Sequence, residues 1–115
     1  MAKKLLKEEV KHYIWGDNCD GWIFVDTNEL SIKQEAMPPS TKEKKHYHTT
    51  AQQFFYILKG RATFYIESEK IEINKHEGIT ITPDKEHYIA NETTTPIEFI
   101  VVSQPSTNSD RINIE

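Results

Sequence analysis

With 115 residues the chain has room for one domain and not for two, and 37% hydrophobic against 28% charged residues describe a polar globule rather than a disordered tail. A net charge of −4 without a basic stripe argues against a nucleic-acid partner; the one basic cluster, Lys42, Lys44 and Lys45, is broken by Glu43 and reads as a solvated loop or edge strand. No segment approaches the ~20 apolar residues of a membrane span, the opening MAKKLLKEEV lacks the apolar run of a signal peptide, and Cys19 as sole cysteine excludes an intrachain disulfide, which together predict a cytoplasmic protein.

In chain order, residues 3–15 carry Leu6, Val10, Tyr13 and Ile14 at helical spacing. They predict a short amphipathic helix, or an arm laid on the rest of the fold, that ends at the turn formers Asn18, Asp20 and Gly21. Strands follow at 22–26, 30–36, 44–48, 53–59, 62–67, 71–74, 78–82, 87–91 and 97–103, separated by turn formers such as Pro38-Pro39-Ser40, Lys59-Gly60 and Pro83-Asp84. Short strands at regular spacing, with no long helix between them, predict an all-β sandwich or barrel and argue against a parallel α/β sheet. The tail from Pro105, rich in Ser, Asn and Asp, predicts an extended surface segment. The strand at 53–59 carries Gln53, Phe55 and Ile57 on one face and Phe54, Tyr56 and Leu58 on the other, so a second sheet, the N-terminal arm or another subunit must cover its outer face; of these a second copy of the chain is favoured, giving a homodimer.

The chemistry-bearing stretch is His46-Tyr47-His48. On a strand, residues two apart project to the same face, so both imidazoles can reach one ion, and imidazole suits zinc, copper, iron and nickel. Such a pair also arises on exposed strands and does not by itself establish a site. Its context is more specific: His46-x-His48, four residues, Gln53, six residues, Gly60; and later Gly78, Pro83, His87, three residues, Asn91. These spacings resemble the two motifs of the cupin superfamily, and the resemblance runs over residues 40 to 91, with the strand pattern extending it further.

The resemblance implies an all-β fold, a single double-stranded β-helix (the cupin jelly-roll barrel) over residues 21–104, with a short N-terminal arm or helix at 1–20 and a C-terminal tail at 105–115. It implies metal ligands at His46, His48 and His87, with Gln53 where the family has a glutamate, a structural turn at Gly60 and a barrel asparagine at Asn91. The cofactor would be a divalent transition metal (zinc, manganese, iron or nickel) and the partner a small-molecule substrate or ligand. Three departures stand out: Ser40 and Asp84 replace turn glycines, and Gln53 is neutral. Three imidazoles and an amide leave the site at about +2 with a dication bound, which favours an anionic exogenous ligand and disfavours a trivalent ion.

Two functional classes compete: a metal enzyme using Lewis-acid or dioxygenase-type chemistry on a small anionic, oxygen-rich metabolite, or a non-catalytic binding or sensor module. A third option, a metal-free epimerase-type barrel with a His base and a Tyr acid, is disfavoured by the retained His-x-His. Glu35, on the strand before the motif, could reach the interior as a base or stand-in anionic ligand. Among the tyrosines, Tyr47, Tyr56 and Tyr88 should face away from the ligand positions, and Tyr65 is expected to pack. His12, His76 and Cys19 are expected to be structural or exposed.

Overall fold

The structure is a computed structural model that describes residues 2–114; residues 1 and 115, the outermost positions of the predicted arm and tail, lie outside the described residues. A 3-10 turn at Lys7–Glu9 leads into β1 (Lys11–Trp15), β2 (Cys19–Asp26), β3 (Ser31–Met37), β4 (Thr41–Lys42), β5 (His46–His48), β6 (Gln52–Lys59), β7 (Arg61–Ile66), β8 (Glu69–Asn74), β9 (Gly78–Ile81), β10 (His87–Asn91), β11 (Ile97–Gln104) and β12 (Arg111–Asn113). The first sheet runs β1-β2-β3-β11-β6-β9 and the second β12-β5-β10-β7-β8, with β4 also pairing β10. Every strand pair is antiparallel. This is the double-stranded β-helix in two facing sheets. The predicted barrel is a correction in one respect: among the described residues no ladder joins the two sheets, so the jelly roll is not hydrogen-bonded shut.

All nine predicted strands are present, with ends shifted by a few residues. Three short strands escape the sequence pattern. Residues 11–15 form β1 rather than part of a helix, because Tyr13 and Trp15 turn inward with a period of two while Ile14 stays exposed. β1 extends the first sheet in register Tyr13↔Gly21, and β2 continues the row as Gly21↔Glu35. A Cβ at Gly21 would stand 2.1 Å from the Tyr13 ring, so glycine there lets the phenol cross β2 and donate a hydrogen bond to Glu35 Oε2.

The core lies between the sheets, where alternate residues of β6, β7, β10 and β11 meet: Phe55, Ile57, Phe64, Ile89, Ile97 and Phe99 are all nearly fully buried. Phe55 packs edge-on against Phe64 with centroids 5.0 Å apart, and each such side chain removed from water contributes about 2 kcal/mol. Cys19 is buried and unpaired with any other cysteine. No helix among the described residues is long and apolar enough to cross a membrane.

The turns explain what the departures from glycine mean. Gly60 sits at φ +81°, and a Cβ there would lie 2.7 Å from Ile97 Cγ2, so this position requires glycine. Ser40 and Asp84 keep the left-handed backbone at φ 60° and 68° without the glycine that relieves it. An L side chain in that region costs roughly 1 kcal/mol, less for Asp than for Ser. Ser40→Gly is therefore expected to raise the urea midpoint with an unchanged slope, a gain of ~0.5–1 kcal/mol. An unchanged midpoint would mean that Ser40 carries no strain.

Candidate metal centre

The second sheet assembles the histidines. β5 and β10 pair through His46↔His87, which sets those two rings side by side, and the two-residue period carries His48 to the same face. Ring centroids lie 4.4 Å apart for His46–His87, 5.0 Å for His46–His48 and 5.8 Å for His48–His87. All three side chains are buried, and one nitrogen from each falls within 4.8 Å of the others, an arrangement able to hold one metal ion.

The hydrogen bonds fix which nitrogen is free. His46 Nδ1 donates to the Lys44 carbonyl at 2.8 Å, His87 Nδ1 to the Lys85 carbonyl at 2.7 Å and His48 Nδ1 to the Asp110 carbonyl at 3.3 Å. A carbonyl only accepts, so the proton sits on Nδ1 and the Nε2 lone pair remains. Nε2 of His48 and of His87 are buried without a hydrogen-bond partner. Burial, reinforced by the neighbouring His87, pushes His46 down to about 3; burial likewise holds His87 down to about 4 and lowers His48. The imidazoles are thus held neutral and could meet a cation without losing a proton.

Gln53 faces this cluster from β6 of the opposite sheet. Its Nε2 donates to Ser103 Oγ at 3.1 Å, which leaves Oε1 buried and unpartnered. Gln53, His46 and His48 line one cavity of about 230 Å³ together with Tyr13, Glu35, Glu43 and Arg111. Burial raises Glu35 to about 7, against the lowering effect of the Tyr13 hydrogen bond and of Lys33 and Arg111. Burial raises Glu43 to about 8, against Arg111, whose Nη1 lies 3.6 Å from Glu43 Oε2.

The structure gathers His46, His48 and His87 at one point and sets Gln53 and Glu35 on the cavity that His46 and His48 line. It keeps the remaining candidates away. Tyr65 stacks on Tyr88 at 4.7 Å, Tyr56 stacks on His76 and His12 pairs with Asp20 at 2.7 Å. Asn91 is the structural hub expected of it: Nδ2 donates to the carbonyls of Met37, Pro38 and Thr95 at 2.8–3.2 Å, and Oδ1 accepts from the Thr93 amide and hydroxyl.

Glu43 is the exception in a segment read as a solvated loop or edge strand. Lys42 and Lys44 are exposed, but Glu43 turns inward, and its Oε1 accepts from the Ile89 amide at 3.1 Å where the pairing of β10 passes from β4 to β5. Tyr13, Glu43, Asp110 and Arg111 are the site residues that sequence pattern missed. For Tyr13 a signal existed in the Tyr13/Trp15 alternation; for Asp110 and Arg111 there was none, because they arrive by long-range pairing.

The cupin domain family, Cupin_2, matches residues 34–103, more than half of the chain. An uncharacterized protein of Methanocaldococcus jannaschii, MJ1618, is 32% identical over 113 residues, covering 91% of this chain and 90% of its own length. The fold is shared with the polyketide cyclase RemF from Streptomyces resistomycificus (TM-score 0.84, 16% identity, 100% of this chain and 87% of that one). It is shared also with a predicted oxalate decarboxylase from Thermotoga maritima (TM-score 0.83, 16% identity, 90% of this chain and 100% of that one). The family match, set on two facing sheets with the histidines of both motifs gathered at one point, makes this chain a member of the cupin family.

Proposed function

We propose that His46, His48 and His87 hold one divalent transition ion (zinc, manganese, iron or nickel), with Gln53 as a weaker fourth ligand, and that the protein acts on a small, anionic, oxygen-rich metabolite in the cytoplasm. The observation that carries this reading is the convergence of three buried imidazoles whose Nδ1 atoms are tied to backbone carbonyls, with Nε2 of His48 and of His87 buried and unpartnered. Leaving such lone pairs buried and unpartnered costs ~1–3 kcal/mol each, and a bound ion removes that cost. The orphaned Gln53 Oε1 supports the same reading, since its partner group is already used on Ser103.

A divalent ion held there supplies Lewis acidity or an oxygen-binding position. The chain's own residues shape the rest. Glu35, gripped by Tyr13 on the wall of the same cavity and raised by burial to about 7, is suited to exchange a proton with the metabolite near neutral pH. Phe55, Ile89 and Val101 form the apolar floor that limits water. Loading with cobalt(II) and titrating azide or acetate tests the open position: a shift of the visible bands is expected, and a bound cobalt that ignores both anions would favour a binding module without catalysis.

Gln53→Glu is expected to tighten metal binding at least tenfold, because a carboxylate beside a dication contributes several kcal/mol even at an effective dielectric near 20. Unchanged affinity by chelator competition would remove Gln53 from the ligand set.

The assembly we propose is a homodimer. Phe54 is 41% exposed on the outer face of β6, and Phe24, Ile32 and Ile100 line an apolar groove on that same sheet. Light scattering should give twice the chain mass, falling to one mass in Phe54→Asp; a monomeric wild type would refute it.

A further inference from the structure

We propose that the C-terminal segment around β12 is a working part of the metal site, with Asp110 as the positioning residue for His48. This rests on the reading of His48 as a ligand.

β5 is three residues long, and its register with β10 is a single pair, His87↔His46. On its other edge β12 pairs with it throughout, Arg111↔His48, Ile112↔Tyr47 and Asn113↔His46. The strand carrying both motif histidines is thus supported laterally mainly by a strand from the far end of the chain. Asp110 strengthens that support on both sides of His48. Its carbonyl accepts the His48 Nδ1 proton at 3.3 Å, which sets the ring's tautomer and plane. Its carboxylate accepts the amides of Thr49, Thr50 and Ala51 at 2.9, 3.0 and 2.8 Å, and the Thr49 hydroxyl, so it also clamps the loop that follows His48.

The next residue, Arg111, reaches into the cavity. Besides facing Glu43, its Nη2 donates to the Lys44 carbonyl at 3.3 Å and its Nε to Asn113 Oδ1 at 2.8 Å. The segment contributes nothing to the hydrophobic core: β12 is exposed throughout, with Ile112 at 42% and Ile114 at 45%. Its ordering therefore depends on its pairing with β5 and on these polar contacts, most of which end on the histidine strand or the residues that flank it.

The test uses the full chain with Asp110→Ala and Asp110→Asn. Readouts are zinc affinity by chelator competition, the visible spectrum with cobalt(II), amide exchange at residues 48–51 and melting of the metal-free protein. Asp110→Ala keeps the main-chain carbonyl that meets His48 but releases the carboxylate clamp that holds it there, and is expected to bind zinc ~10-fold more weakly, with a shifted cobalt band and faster exchange at 49–51. Asp110→Asn keeps an amide oxygen to accept from the loop and should recover part of that loss. Should Asp110→Ala not fold, Asp110→Asn decides, with zinc affinity at least ~3-fold below wild type expected. Wild-type zinc affinity and an unmoved cobalt band in the variant, with only melting lowered, would make Asp110 merely structural and overturn this inference alone. A wild-type chain that takes up no zinc would overturn the metal reading together with it.

Discussion

Replacing His46 with alanine is expected to weaken divalent-ion binding by about 100–1,000-fold while leaving the metal-free protein folded. A four-ligand zinc site is worth ~10–16 kcal/mol in apparent binding, so one imidazole accounts for roughly 3 kcal/mol, and each 1.4 kcal/mol is a factor of ten. The fold has less to lose. His46 is 2% exposed, but its ring lines the same cavity as Glu35, Glu43 and Arg111, so water can take its place. Metal-free stability should fall by no more than ~2 kcal/mol. The two effects separate in paired denaturation curves: added zinc should raise the wild-type midpoint, because only the folded state offers the site, and should stabilise His46→Ala by ~2.7–4.1 kcal/mol less. His48→Ala and His87→Ala should behave alike. An equal zinc-induced rise in wild type and variant would place any bound ion elsewhere.

The largest stability loss is expected at Asn91, a side chain 1% exposed. Asn91→Ala removes the donor to the carbonyls of Met37, Pro38 and Thr95 and the acceptor for the Thr93 amide and hydroxyl. At ~1 kcal/mol per bond, with more for groups left buried and unpaired, the loss is ~3–5 kcal/mol out of a typical total of ~5–15 kcal/mol. Asn91→Asp should fare no better, because a carboxylate would face three carbonyl oxygens with no proton to give. Because Asn91 ends the strand that begins at His87, it ties the turn at Ser40 and the loop at Thr93 to that strand. Urea titration measures the loss directly, and a change under ~1 kcal/mol would mean that water replaces the side chain's bonds.

Local geometry was readable from sequence; long-range geometry was not. His46 and His48 share a face because a strand has period two, and that holds wherever the strand is packed. Gly60 announces its turn, and Ser40 and Asp84 hold the same left-handed backbone as a glycine would, so the motif's spacing survives the loss of its glycines. By contrast, the helical spacing of Leu6, Val10 and Tyr13 outweighed the Tyr13/Trp15 alternation until β2 was there to pair with β1. Glu43 looked solvated among lysines because its inward turn depends on a partner, Arg111, far along the chain. Asp110 meets His48 across 62 residues of sequence, and no local pattern encodes that contact.

Elemental mass spectrometry on tag-free protein, beside a His46→Ala/His48→Ala control, tests the central claim most directly. About one transition-metal ion per wild-type chain is expected, and none in the control. A folded wild type that carries no metal, and takes up none of added zinc, manganese, iron or nickel, would contradict it.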